Sequence, residues 1–146
     1  GNRFMLDRYG LRPWFHEGDR HNYRNAPKHS LIWGLSMEPQ PDPEGYLSDG
    51  QVISAAGVTL TVIAVPGHSP GGVAFYSEAD AVVFTGDALF AGSIGRSDLP
   101  GGDHEQLIEN IRERLFVLPP DTVVYPGHGP ETTIREEMKH NPFFII

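Results

Sequence analysis

The stretch VPGHSPGG, residues 65–72, places a histidine between prolines and glycines directly after a run of β-formers. The arrangement recurs as YPGHGP at 125–130, and FTGDALF at 84–90 sets an aspartate behind a glycine at the end of a third β-like run. Glycine allows tight turns and close approach of the backbone, and rigid scaffolds often hold functional side chains where strands end. The three turns therefore predict functional side chains, His68, Asp87 and His128, along one rim of a sheet.

The residue types in these turns indicate a metal site. Two imidazoles and a carboxylate form a ligand set for zinc, iron or manganese, and a chain without cysteine must hold any metal through His, Asp or Glu. Each residue taken singly is also explained by a hydrogen-bonded turn, so the repetition carries the prediction. The other five histidines have polar neighbours and no such flanking residues, and we expect them on the solvated surface: His16, His21, His29, His104 and His140.

Alternating and apolar runs around the turns predict the secondary structure of residues 51–142. The strand candidates are QVIS (51–54), GVTLTVIAV (57–65), GVAFYSE (72–78), AVVFTG (81–86) and DTVVY (121–125). A helix is predicted at 103–118, with Asp103 and Gln106 as a capping box, and another at 132–142, with Thr133 and Glu136 in the same roles. Strands followed by outer helices predict the α/β or α+β class.

The first fifty residues carry a weaker pattern. The spacing of Phe4, Leu6 and Tyr9 predicts a helix that stops near Gly10, and RPWFH (12–16) predicts a short strand. Residues 17–50 are polar and proline-rich, which predicts mostly loop with room for a short helix. A length of 146 residues predicts a single domain over residues 1–146.

Composition excludes several functions. A formal charge of −8 argues against a nucleic-acid partner, which would need a basic surface. No apolar run reaches membrane-spanning length. Nothing at the start of the chain resembles a signal peptide, so the expected location is cytoplasmic.

The motifs together resemble a known family. VPGHSPGGVAFY, VFTGDALFAGSIGRSDLPGGD and VVYPGHGPETTIREE resemble the metallo-β-lactamase superfold, and GSIGRSDLPGG favours its hydroxyacylglutathione hydrolase (glyoxalase II-like) branch. The resemblance covers about residues 52–141 and implies the C-terminal part of an αββα sandwich with two metal ions at one edge. It implies that His68 binds the first metal, that Asp87 bridges both and is catalytic, and that His128 binds the second. Zinc is the expected metal, with iron or manganese as alternatives.

The same resemblance implies the chemistry. A hydroxide bridging two metals attacks the carbonyl of a small-molecule thioester, and Asp87 orients both metals and accepts a hydrogen bond from the hydroxide. Ser69 is a candidate hydrogen-bond donor behind the ligands or a turn cap. Arg96 and Asp98 are candidates for an ion pair that holds their loop, or Arg96 meets an anionic thiol carrier such as glutathione.

One departure from the family pattern changes the expectation for this chain. The His-x-His-x-Asp-His run that supplies further ligands in the family does not occur here. Each metal would then have two protein ligands, whereas catalytic zinc normally has three and a water. We therefore expect a C-terminal fragment of a longer hydrolase, with weak or no metal binding and little or no activity by itself.

Two alternatives stay open at this point. The first is a fragment of a mononuclear iron persulfide dioxygenase of the same superfold, in which His68 and Asp87 are the matching ligands. The second is a non-catalytic half-domain whose apolar face pairs with another copy. Exposed strand edges favour self-association, so a homodimer through a sheet edge is predicted.

Overall fold

The computed structural model describes residues 1–55 and 57–145, and they form two compact units, Gly1–Leu47 and Ser48–Ile146. The elements combine helices and β-sheets, which confirms the predicted mixed α/β class. The grouping of both units into one domain stays a prediction. Within the described residues, the helices are all too short or too polar to cross a membrane.

The N-terminal unit contains a small parallel sheet and two helices. Its elements are α1 (Asn2–Tyr9), β1 (Trp14–His16), a 3-10 turn (Glu17–Asp19), α2 (Arg20–Ile32) and β2 (Gly45–Leu47), with β1 paired to β2. Helix α1 ends where predicted, because Gly10 adopts a left-handed conformation and donates its N–H to the Leu6 carbonyl at 2.8 Å.

Helix α2 corrects the expectation for residues 17–50, which was wrong in predicting mostly loop. The helix spans 13 residues and buries one of them, Ser30, so its sequence carries no apolar stripe from which a helix could be inferred. Pro27 lies inside it and supplies no backbone N–H. The apolar residues at its end, Leu31 and Ile32, are exposed.

The C-terminal unit is built on a six-stranded sheet. Its elements are β3 (Val52–Ala55), β4 (Val58–Ala64), β5 (Val73–Ser77), β6 (Val82–Gly86), β7 (Leu89–Phe90), β8 (Ser93–Ile94), α3 (His104–Asn110), β9 (Val123–Pro126), β10 (Thr132–Thr133) and α4 (Ile134–His140). The sheet order is β10-β9-β6-β5-β4-β3, and β7 and β8 form a separate hairpin. The five strands predicted from 51 onward are confirmed to within a few residues at their ends.

Strand direction explains why the three turns meet. β4, β5 and β6 pair antiparallel in succession, and β9 lies parallel to β6. Strands β4, β6 and β9 therefore all run the same way, and their carboxyl ends lie at one edge of the sheet. The turns that follow these three strands carry His68, Asp87 and His128.

The helices cover one face of this sheet. Helix α3 and the π-helical segment Ile111–Leu115 that continues it bury Leu107 and Leu115, and α4 buries Ile134. Both predicted N-terminal caps are confirmed: Asp103 accepts from the Gln106 N–H at 3.0 Å and Thr133 from the Glu136 N–H at 3.2 Å. The helix predicted at 103–118 ends at Leu115 rather than at residue 118.

The other face of the sheet is partly open. Phe84 and Tyr125 alternate with the buried Val83 and Val124, so they project to the opposite face, where they are 43% and 38% exposed. Their rings stack with centroids 5.6 Å apart. Strands β3 and β10 are the edges of the sheet, and the homodimer through such an edge stays a prediction.

Candidate metal centre

The three predicted side chains line one open cavity of about 440 Å³ at the carboxyl edge of the sheet. His68 comes from the turn after β4, Asp87 from the residue after β6, and His128 from the turn after β9. Phe90 and Arg96 also line the cavity. Because the three turns are separated by up to 60 residues in the chain, only strand direction brings the side chains together.

The Asp87 carboxylate lies between the two imidazoles. Its Oδ2 atom is 3.9 Å from His68 Nε2, and its Oδ1 atom is 3.9 Å from His128 Nε2. Both distances exceed those of a hydrogen bond. Two ligand atoms of one zinc ion can be at most about 4.0–4.3 Å apart, which is the sum of a Zn–N and a Zn–O bond length. Each nitrogen–oxygen distance of 3.9 Å is just below this limit. One carboxylate oxygen is therefore available on each side for an ion shared with one imidazole.

A backbone contact sets the tautomer of His68. Its Nδ1 atom lies 2.7 Å from the Arg96 carbonyl oxygen. A carbonyl can only accept, so Nδ1 carries the proton and donates it. In the neutral ring the lone pair is then on Nε2, the atom that faces Asp87. This is how metal-binding histidines are commonly oriented.

Glycines leave room for Asp87. A Cβ built on Gly127 would collide with Asp87 Oδ1, and a Cβ built on Gly95 would collide with the Asp87 carbonyl oxygen. The Gly127 N–H also donates to the Gly86 carbonyl at 2.8 Å. Gly127 thus allows the His128 turn to approach the Asp87 turn closely, beyond forming a turn.

His128 is held by stacking. Its ring lies on Phe90 with centroids 4.3 Å apart and planes 25° apart, while its side chain is 73% exposed. Sequence reasoning missed Phe90, because an aromatic residue in a strand-like run is more simply explained by the core. Phe90 belongs to the β7–β8 hairpin. The buried Glu137 supports this hairpin, since its Oε2 atom accepts from the Gly92 N–H at 3.0 Å.

Arg96 and Asp98 form the ion pair that the sequence suggested. The guanidinium donates twice to the carboxylate, at 2.9 and 2.8 Å. The arginine lowers the pKa of Asp98 to about 2 and has its own pKa raised in turn. A contact of Arg96 with substrate stays a prediction. The carbonyl of Ser69 accepts from the Gly67 and Gly72 N–H groups, and a role for its side chain behind the ligands also stays a prediction.

The donor set suits a divalent metal in type and falls short in number. Two imidazoles and a shared carboxylate are ordinary zinc, iron or manganese ligands. Among the described residues, however, no three His, Asp or Glu side chains are close enough to hold one ion together. Each position has one histidine and a share of Asp87, one protein ligand fewer than catalytic zinc normally uses.

The remaining histidines lie away from this cavity. His21, His29, His104 and His140 are exposed, as predicted, and His16 is half-buried and accepts from the Gly18 N–H through Nδ1 at 3.2 Å. His140 pairs with Glu136 at 2.9 Å on α4.

Comparison with known proteins decides the family. Residues 1–128 match the sequence profile of the metallo-beta-lactamase superfamily. The chain belongs to this superfamily. Metal binding is typical of this superfamily, and its curated members similar to this chain include hydrolases.

Individual superfamily members resemble the chain closely. Over 146 residues it is 36% identical to the hydroxyacylglutathione hydrolase GloC of Haemophilus influenzae, covering 95% of this chain and 66% of that protein. The crystal structure of TTHA1623 in a di-iron-bound form superposes with a TM-score of 0.88 at 41% identity, over 97% of this chain and 69% of that one. The crystal structure of BLEG-1, a B3 metallo-beta-lactamase, superposes with a TM-score of 0.86 at 38% identity, over 96% of this chain and 68% of that one. The chain spans about half to two thirds of the length of the curated relatives it matches.

Proposed function

We propose that this chain contributes one side of a two-metal centre in a thioester hydrolase that acts on hydroxyacylglutathione-like substrates. One observation carries the proposal: the Asp87 carboxylate stands between the Nε2 atoms of His68 and His128, 3.9 Å from each. The likeness to the Haemophilus influenzae hydrolase supports the substrate class. The activity, substrates and partners of the whole protein are part of this proposal.

Each side chain has a distinct task in this proposal. His68 presents an Nε2 lone pair because its Nδ1 proton is held by the Arg96 carbonyl. Asp87 would serve both metal positions and would accept a hydrogen bond from the attacking water. Phe90 keeps the exposed His128 ring in place by stacking. Bound divalent ions, zinc by preference, would polarise the thioester carbonyl and lower the pKa of water.

The ligand count predicts how the chain behaves by itself. With two protein ligands for each ion, we expect less than about a tenth of an equivalent of zinc to survive dialysis. Zinc titration calorimetry should show weak binding that Asp87→Asn removes. His140→Ala is the matched control, because His140 and Glu136 form another acid–histidine pair on the surface. Tight stoichiometric zinc, or weak binding that Asp87→Asn leaves unchanged, would contradict the assignment.

The substrate class is tested by turnover with zinc in excess. Hydrolysis of S-lactoylglutathione under nitrogen should exceed that of the Asp87→Asn variant and stay far below about 10 s⁻¹, a typical enzyme rate. A β-lactam is the competing substrate because of the likeness to BLEG-1, and we expect no turnover of it. Equal thioester rates for the two proteins, or faster β-lactam than thioester hydrolysis, would refute the substrate class.

An iron oxygenase is the second candidate, and the di-iron form of TTHA1623 is the observation that favours iron. This candidate uses His68 and Asp87 with one further histidine, and consumes oxygen with glutathione persulfide as substrate. Oxygen uptake by the iron-loaded chain, lost in His68→Ala, would support it over the hydrolase.

A further inference from the structure

The N-terminal unit contains a cavity of about 270 Å³ that the proposed hydrolase does not use. Three half-buried aromatic rings form much of its floor. Phe15 contacts Tyr23 with ring centroids 4.5 Å apart and Tyr46 at 5.6 Å in an edge-to-face arrangement. The Tyr23 hydroxyl donates to the Pro41 carbonyl at 2.7 Å, and burial raises the pKa of Tyr23. The floor is therefore largely aromatic.

One face of α2 supplies a cationic rim. Arg20, Arg24 and Lys28 all line the cavity and lie four residues apart, so successive charges are spaced about 6 Å along the helix. Arg20 forms an ion pair with Glu17, with Nη1 and Oε1 3.7 Å apart. Arg24 and Lys28 are both exposed at the rim.

This rim runs against two tendencies of the chain. Like charges four residues apart disfavour a helix, and the protein as a whole carries a net charge of −8. Among the described residues that line the cavity, three are cationic and one, Asp42, is acidic. Helix stability therefore does not account for the rim, whereas attraction of an anion does.

We propose that this cavity binds a small organic anion that carries an aromatic ring. The ring would pack on Phe15 and Tyr46, and a phosphate or carboxylate would meet Arg24 and Lys28 at the rim. A volume of about 270 Å³ is slightly below the ~300–1,000 Å³ of drug-sized sites. The site therefore suits a ligand with one ring.

The test is an NMR titration of the whole chain with three probes: phenyl phosphate, inorganic phosphate and phenol. Phenyl phosphate should shift the amide signals of α2 and β2 and bind about tenfold more tightly than either of the other two. Its affinity should fall about tenfold in the Arg24→Gln/Lys28→Gln variant.

The matched control removes the same charge elsewhere. Arg112→Gln/Lys139→Gln takes two exposed helical cations from the C-terminal unit and should change the affinity less than about twofold. The unshifted signals of each variant report whether it is folded. Equal weakening in both double variants, equal binding of inorganic phosphate, or shifts confined to the C-terminal unit would each overturn the proposal. Because the metal ligands lie outside this cavity, failure here leaves the hydrolase proposal standing.

Discussion

Replacing Gly67 by alanine tests why the first histidine turn is built from glycine and proline. Gly67 adopts a φ of +134°, and a Cβ there would lie 2.5 Å from the N, Cα and Cβ atoms of Leu107 in α3. The Gly67 carbonyl accepts from the Asp103 N–H at 2.8 Å, and Asn110 donates to the Pro66 carbonyl at 3.0 Å. The turn that carries His68 is thus pressed onto the helix.

The cost of the substitution follows from these contacts. Ordinary contact begins at 3.4 Å, so turn and helix must separate by 3.4 − 2.5 = 0.9 Å. Backbone strain at this φ costs about 1–3 kcal/mol and overpacking about 1–3 kcal/mol. Loss of the hydrogen bond to Asp103 adds about 0.5–1.5 kcal/mol. We expect the free energy of unfolding to fall by about 2.5–7.5 kcal/mol, against a total of about 5–15 kcal/mol for a typical domain.

Urea unfolding followed by circular dichroism measures this loss. Gly129→Ala is the matched control, because Gly129 has a φ of +83° and a Cβ there would meet nothing within 4 Å. That variant should lose only the backbone strain, about 1–3 kcal/mol. If the two variants differ by less than about 1 kcal/mol, the close approach to Leu107 does not constrain the turn and the reasoning fails.

Three further predictions concern the loop, the second histidine and the sheet edge. Arg96 depresses the pKa of Asp98 to about 2, so the stability from this pair should be present above about pH 4 and be lost as pH falls through about 2. In NMR titration, Arg96→Gln should return the Asp98 pKa toward its ordinary value, and an unchanged pKa would contradict the pairing. Phe90→Ala should weaken zinc binding at His128 severalfold by calorimetry, with Phe116→Ala as a control for lost apolar packing; equal weakening by both would count against stacking. Sedimentation should show a concentration-dependent dimer that Val52→Lys on the edge strand β3 disrupts, and a monomer at all concentrations would contradict the edge prediction.

Much of the C-terminal unit could be predicted from local patterns. Alternating apolar runs bounded by glycine and proline correspond to β4, β5 and β6, because each strand has one face on the helices. The caps at Asp103 and Thr133 involve residues three apart in the chain, so sequence alone identifies them. For the region of α2 the sequence predicted mostly loop with room for a short helix, because α2 buries almost nothing and contains Pro27.

The candidate site divides in the same way. The sequence by itself determined which residues follow the strands and, through the absence of cysteine, which metal ligands are available. Only the tertiary structure decided that one carboxylate lies between two imidazoles, because that depends on the parallel pairing of β6 with β9. The Arg96 carbonyl on His68 and the Phe90 ring on His128 were likewise decided by tertiary structure. Every residue has a backbone carbonyl, and many strands have an aromatic ring. Such contacts leave no mark in sequence, because only the packing of distant segments selects which of these groups reaches the site.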